Sequence, residues 1–198
     1  MSCTSLTRGR VVDCNRISGG ISAVYFAVLS SVGTITYDTT AAPNQVREIE
    51  NIAMGDNAVF RYLLPIGTSS FTDTIVGSRE NGTVYYTPSI SLVYNKLSKE
   101  DQAEISLLAA TKTVVFAELN QELANGHSVI VAMGMVHGMQ LNNGTIDSGQ
   151  NWGDRNGYSL VITGMETEPF AMLKDYSSDP FDNLNTGNIP ITVNKTGL

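Results

Sequence analysis

The sequence is poor in charged residues. Lys, Arg, Asp and Glu make up 16% of its 198 residues, against about 25% in average soluble proteins. The acids outnumber the bases, 19 to 12, which gives a net charge of −7. Proteins that bind nucleic acid ordinarily present a basic face to the phosphates, and this sequence has no cluster of Lys and Arg. Direct binding to nucleic acid is therefore not expected.

Long apolar runs are also lacking. The longest uninterrupted stretch covers residues 23–29, far short of the ~20 residues that span a bilayer. The first residues contain no apolar segment typical of a secretory signal. Contact with a membrane and secretion are therefore not expected.

Residues that carry metal or catalytic chemistry are scarce. The two cysteines, Cys3 and Cys14, are expected to be reduced thiols, because no secretory signal accompanies them. His127 and His137 have no companion ligands at useful spacing and are predicted to be turn or core residues. No nucleophile elbow, phosphate-binding loop or zinc-protease motif is present. We therefore expect no enzyme, no metal and no cofactor.

What the sequence has instead is neutral polar residues. It contains 19 Thr, 18 Ser, 16 Asn and 18 Gly. A monomer usually keeps itself soluble with more charge than this, so a surface rich in Thr, Ser and Asn favours packing of protein against protein.

Strand patterns dominate the chain. Apolar runs rich in β-branched and aromatic residues predict strands at 21–29, 33–37, 46–54, 58–65, 113–119, 128–136 and 158–166. Residues 141–157 contain several glycines and are predicted to be a long loop. Within it, 147–157 has enough oxygen atoms for calcium but lacks the closing Glu of an EF-hand. A loop ordered around Trp152 is the favoured interpretation, and Met133, Met135 and Met139 are predicted to be core residues.

A long β-hairpin is predicted from two segments rich in Thr, Val and Tyr, residues 71–76 and 83–87. Asn81-Gly82 lies between them and favours a type I′ turn, which requires two residues of positive φ. The polar residues 77–80 belong either to the strand or to a longer tip. The hairpin is too polar to be buried on both faces.

One helix is predicted. Ser98 is a suitable N-cap with Asp101 at the third helical position, and Leu97, Ile105, Leu108 and Ala109 lie on or near one face. The fold expected is mainly β (α+β), an antiparallel β-barrel or sandwich with one flanking amphipathic helix and a long hairpin. Residues 1–176 are expected to form this domain, and residues 177–198 an extended C-terminal arm, ordered only by docking.

The order of these elements resembles the tail tube proteins of tailed bacteriophages over residues 8–176. The features that carry the resemblance are Gly-Gly-Ile-x-x-Val-Tyr-Phe from Gly19, Val-Phe-Arg-Tyr-Leu-Leu from Val59, the hairpin around Asn81-Gly82, the helix start Leu97-Ser-Lys-Glu-Asp, Val-Val-Phe-Ala from Val114, and the stretch 153–169. The resemblance implies a fold shared with the type VI secretion tube protein. It also implies hexameric rings that stack into a tube through which DNA leaves the virion.

The resemblance implies a structural protein of the virion tail, assembled in the host cytoplasm. Its partners would be itself and other tail proteins (tape measure, terminator and possibly sheath), and DNA would pass without specific binding. A hairpin can complete a neighbour's sheet, so its candidate interface residues are Thr72, Thr74, Val76, Asn81, Gly82, Thr83 and Tyr85. The candidate acids facing the lumen are Glu48, Glu50, Asp73, Glu80 and Glu118.

Two further classes remain open. Another ring-forming tail component, such as a terminator, a hub or a tube protein near the baseplate, would share the fold and differ in copy number. A receptor- or carbohydrate-binding virion module would show a cluster of exposed Trp and Tyr around a groove, whereas the sequence has a single Trp.

Overall fold

A computed structural model describes residues 18–38, 47–123, 125–182 and 189–193. Twelve strands and one α-helix, α1 (Lys99–Ala110), make up the described part and confirm the mainly-β expectation. Among these residues, no helix has the length and apolar character that crossing a membrane requires. The strands are β1 (Ile21–Val28), β2 (Ile35–Tyr37), β3 (Glu48–Ile52), β4 (Val59–Leu63), β5 (Ser70–Ser78), β6 (Thr83–Asn95), β7 (Thr113–Glu122), β8 (Ser128–Met133), β9 (Met139–Asp147), β10 (Gly157–Gly164), β11 (Ala171–Leu173) and β12 (Ile191–Val193).

The strands form one branched sheet that divides into two layers. The eight-stranded layer has the order β12-β4-β1-β7-β8-β11-β3-β2, and the four-stranded layer has the order β9-β10-β6-β5. A single residue pair, Thr113 with Met139, joins them. Two pairings are parallel, β11 with β3 and β12 with β4. The arrangement is therefore a mixed sandwich, where the sequence had suggested a wholly antiparallel one.

The central strands of the eight-stranded layer are buried on both faces. Tyr25 and Phe116 point into one apolar cluster, while Val24 and Val115 point into another on the opposite face. The second cluster also contains Leu160 of β10, so it fills the space between the two layers. Burial on both faces explains why β1 and β7 are continuous apolar runs without polar alternation.

The predicted loop over residues 141–157 is wrong in its first half. Residues Met139–Asp147 form β9, which pairs with β10, and only residues 148–156 connect the two strands. From Asn142 to Asp147 the strand is exposed. A strand with little buried surface does not need alternating apolar residues, so the sequence lacks the usual signal.

Helix α1 has the predicted start. The Ser98 hydroxyl oxygen accepts a hydrogen bond from the Asp101 amide at 3.0 Å, which satisfies one of the free donors of the first turn. Ile105 and Leu108 are half-buried against the cluster between the layers, but Ala109 is exposed and no residue of the helix is fully buried. The helix therefore flanks the sandwich with a narrower apolar face than the sequence suggested.

The described residues of the predicted C-terminal arm contact the core of the same chain. Of the predicted arm, the structure describes 177–182 and 189–193. The Phe181 side chain is buried at edge-to-face angles against Tyr25 and Phe116, with 5.1 Å between ring centroids in both pairs. Ile189 joins the same cluster, and β12 adds a strand beside β4. Cys3 and Cys14 lie outside the described residues.

Candidate subunit interface

The predicted hairpin is present, with a longer tip than the sequence suggested. Strands β5 and β6 pair from Ser70–Ser91 to Ser78–Thr83, which leaves the four residues 79–82 as the loop. Only Gly82 has a positive φ, +63°, and Asn81 does not. The predicted two-residue type I′ turn is therefore wrong. The Ser78 hydroxyl oxygen accepts a hydrogen bond from the Asn81 amide at 3.3 Å within the wider loop.

The hairpin extends beyond the rest of the four-stranded layer. Strand β10 pairs with β6 only from Ser89 to Asn95. Nearer the tip, the only further strand contact described is the bridge between Tyr86 and Glu166. The tip half is consequently a two-stranded ribbon, an element that is marginally stable unless it packs on something.

Five of the seven candidate interface residues share one face of this ribbon. Opposite partners in an antiparallel pair lie on the same face, and residues two apart along a strand do too. The register therefore groups Thr72, Thr74, Val76, Thr83 and Tyr85 on the face turned away from the core. Asn81 and Gly82 lie in the tip loop.

At each lateral edge of the four-stranded layer lies a strand with no described strand partner along most of its outer side, and helix α1 lies close to one of them, β9. On its outer side β5 pairs with no described strand, and β9 pairs there only through Met139. Both strands are nine residues long. Long exposed edges of this kind usually mark sites where another chain adds a strand.

The outward face of this layer carries almost no charge. Its core-facing residues, among them Ile90, Leu160 and Ile162, are buried, and the alternate positions face outward. Apart from Gly157, which is buried, the outward residues are exposed or half-buried, and Asp147 is the only charged one among them. The outward residues are Ser70, Thr72, Thr74, Val76, Ser78, Thr83, Tyr85, Thr87, Ser89, Ser91, Val93, Asn95, Gln140, Asn143, Thr145, Asp147, Gly157, Ser159, Val161 and Thr163.

A groove opens beside the start of β5. It has a volume of about 450 Å³, and Ile21, Phe71 and Leu119 contribute apolar side chains to its lining. The backbone of Gly19 and Gly20 forms part of its wall. A segment that added to the edge of β5 would therefore find apolar surface next to the strand.

The five candidate lumen acids do not lie together. Glu48 and Glu50 are half-buried on β3, near the far end of the eight-stranded layer, and the Lys174 ammonium lies 3.4 Å from a Glu50 carboxylate oxygen. Asp73 points to the core-facing side, where it accepts a hydrogen bond from the Phe170 amide. Glu80 is exposed in the hairpin tip. None of the five candidate acids, Glu118 included, lies on the outward face of the four-stranded layer.

Glu118 takes part in an interior network. The Tyr25 hydroxyl donates a hydrogen bond to the Glu118 carboxylate at 2.6 Å, and an Arg61 nitrogen lies 3.3 Å from the same oxygen. Burial, and then the hydrogen bond to Glu118, raise the pKa of Tyr25 well above its usual range. The network holds β1, β4 and β7 together, so Glu118 has a structural role within one chain.

A buried carboxylate that the sequence did not indicate lies beside the tip half of the hairpin, next to Tyr86. Glu166 is 4% exposed and accepts hydrogen bonds from the backbone amides of Val136, His137 and Gly138 at 3.2, 2.9 and 3.2 Å. Its own backbone forms both hydrogen bonds of the bridge to Tyr86. Glu166 therefore ties the loop between β8 and β9 to the hairpin.

The loop over residues 148–156 is ordered by an aspartate. The Asp154 carboxylate accepts hydrogen bonds from the Gln150 and Asn151 amides at 3.1 and 2.6 Å and from the Asn151 side chain at 3.0 Å. These bonds, with that from the Asn151 amide the largest cause, lower the pKa of Asp154. Trp152, predicted to be the anchor of this loop, is instead fully exposed.

The histidines are turn residues, as predicted. The His127 ring stacks on Tyr176 with 4.5 Å between the centroids, and the His137 backbone amide donates to Glu166. Met133 and Met139 are buried, and Met135 packs against the core. In the described ranges, no three His, Cys, Asp or Glu side chains are grouped so as to hold a metal ion.

No family model, curated protein or solved structure matches the chain. Its function must therefore be inferred from its own surfaces. The most informative of these is the four-stranded layer, with an open strand at each edge and an uncharged face.

Proposed function

We propose that the protein is the tail tube subunit of a tailed bacteriophage and forms stacked, hexameric rings. The observation that carries the proposal is the four-stranded layer itself. Both of its edge strands lack a described strand partner along most of their outer side, and its outward face bears a single charged residue, Asp147. The resemblance of the element order to tail tube proteins supports the same assignment.

The two open edges would join neighbouring subunits. If β5 of one copy pairs with β9 of the next, the contact runs head to tail and closes into a ring. A hexamer then contains about 24 strands in one barrel. With strands ~4.8 Å apart and tilted by about 40°, that barrel is about 48 Å across between backbones. The opening is wide enough for a nucleic-acid duplex.

The outward face would line this opening. Hydroxyl and amide side chains bear no positive charge, so they release no counterions from DNA and hold no phosphates. The net charge of −7 on the whole subunit also opposes binding to the DNA phosphates. In this arrangement DNA slides because the wall is neutral, and none of the five candidate acids lies on the barrel strands' inner face.

Electron microscopy of the purified protein tests the proposal. Negative-stain images at increasing concentration should contain rings with a central hole, or tubes built from them. Light scattering after size-exclusion chromatography should give a hexamer or larger multiples. A compact monomer at every concentration would contradict the proposal. Single or double rings that never stack would favour a terminator or hub, which act as one or two rings.

Cross-linking tests which strands meet. Cysteines replace Thr72 of β5 and Thr145 of β9, both exposed, in a chain whose Cys3 and Cys14 are changed to serine. A short bis-maleimide should give a ladder of covalent oligomers that ends at the hexamer. The matched control places the first cysteine at Thr36 on β2, which is equally exposed but belongs to the other layer. An equal ladder from this control would contradict pairing of β5 with β9.

A further inference from the structure

The two ends of the four-stranded layer carry different elements. Gly157 of β10 pairs with Asn95 at the last residue of β6, so the loop over residues 148–156 lies at that end. The hairpin tip lies at the other end, beyond Thr83. The 13 residues of β6 separate the two ends by about 40 Å. When copies stack end to end, the loop of one copy faces the hairpin of the next.

At the loop end, Trp152 is more exposed than the other described apolar side chains, including Ile146 at 58%. Its side chain is as accessible as in an extended peptide, although Asp154 orders the backbone around it. A large aromatic side chain on a preordered loop loses little conformational entropy when it docks, which is the property of interface anchors. The chain itself provides no cover for this indole among the described residues.

At the hairpin end, an apolar patch is exposed. Ile75 is 68% and Val84 63% exposed, and the register places both on the core-facing side of the ribbon, past the point where the core ends. Gly77 lies opposite Val84 and two residues after Ile75 on the same strand. A Cβ at Gly77 would meet only ordinary contacts, so the patch has an open notch between the two side chains.

We propose that Trp152 is the contact that stacks one ring on the next, and that it docks on the patch of Ile75, Gly77 and Val84 in a second copy of this chain. Among the described residues, Trp152 at one end and the patch at the other are both uncovered, and stacking covers both at once. The inference rests on the proposed function, since it needs the subunits to be arranged around a common axis.

The fluorescence of Trp152 measures the docking directly, because the chain has no other tryptophan. In dispersed subunits or single rings the emission should be red-shifted and readily quenched by acrylamide. When tubes form, the emission should shift to the blue and quenching should fall several-fold. Tubes whose emission and quenching match those of dispersed subunits would overturn the inference while leaving the tube assignment intact. Absence of both rings and tubes would contradict the proposed function and this inference with it.

Substitutions separate stacking from ring closure. The double variant Ile75→Ser/Val84→Ser and the variant Trp152→Ala should both form rings that fail to stack at concentrations where the wild type forms tubes. Leu107→Ser is the matched control, since Leu107 is 60% exposed on α1, away from both ends of the layer. Tubes of wild-type length from either test variant would refute the docking.

Discussion

Replacing Glu166 by alanine is expected to destabilise the protein and loosen the hairpin. The carboxylate is buried and accepts three backbone hydrogen bonds, two at one oxygen from His137 and Gly138 and one at the other from Val136. Alanine leaves all three amides without this acceptor, and that of Gly138 is buried. The backbone bonds between residue 166 and Tyr86 remain, but they are no longer anchored to the loop between β8 and β9, so the hairpin is held less firmly.

The size of the effect follows from these contacts. A buried amide that loses its acceptor costs about 1–3 kcal/mol, and a hydrogen bond to a charged group contributes about 1.5–3 kcal/mol. Since the three bonds are not additive, we expect the free energy of unfolding to fall by about 2–4 kcal/mol. Glu166→Gln keeps the oxygen that serves two amides but turns an NH₂ group toward Val136. Its expected loss is smaller, about 1–3 kcal/mol.

Urea unfolding of the dispersed protein measures these losses, and hydrogen exchange at the Tyr86 amide reports the loosening of the hairpin. Glu168→Ala is the control, because Glu168 is two residues away and forms only an exposed ion pair with Arg47 at 2.6 Å. An exposed pair contributes about 0–1 kcal/mol. If Glu166→Ala were no more destabilising than Glu168→Ala, the role assigned to the buried carboxylate would be refuted.

Three further predictions concern packing and charge. A Cβ at Gly157 would lie 1.9 Å from the Tyr94 carbonyl oxygen, whereas one at Gly153 meets nothing within 4 Å. In thermal melts Gly157→Ala should therefore be destabilised by about 1–3 kcal/mol, and Gly153→Ala should be little changed. Phe181→Ala should lose about 3–5 kcal/mol in urea unfolding, and a loss near zero would show that the C-terminal segment does not dock. Hydrogen bonds from backbone amides, that of Asp179 foremost, lower the pKa of Asp182 from 3.8 to about 2. Its contribution to stability is therefore present above pH ~4 and is lost as the pH falls toward 2, and an NMR titration of the carboxyl carbon giving an unshifted pKa would contradict these bonds.

The parts of the fold that could be predicted are those whose signal is local. Burial on both faces made β1, β7 and β8 continuous apolar runs, and Ser98 capped the helix through contacts three residues away. Two segments rich in Thr, Val and Tyr, on either side of Asn81-Gly82, marked the hairpin. In each case the residues that decide the structure are neighbours in sequence.

The parts that could not be predicted depend on distant partners. Strand β9 is polar and exposed and exists because β10 pairs with it. Phe181 is an isolated aromatic residue whose burial depends on a gap between Tyr25 and Phe116. The amides that donate hydrogen bonds to Glu166 lie almost 30 residues earlier in the chain. No sequence motif indicates this pairing. Trp152 reverses the usual rule, since a large aromatic residue that would ordinarily be buried is exposed.

Cryo-electron microscopy of the assembled protein, at a resolution that separates strands, tests the central proposal most directly. We predict that β5 of each subunit pairs with β9 of its neighbour and that the Ser- and Thr-rich face of the four-stranded layer surrounds the central channel. A ring whose four-stranded layer faces outward, or a particle that contains one subunit with both edges exposed to solvent, would contradict the account.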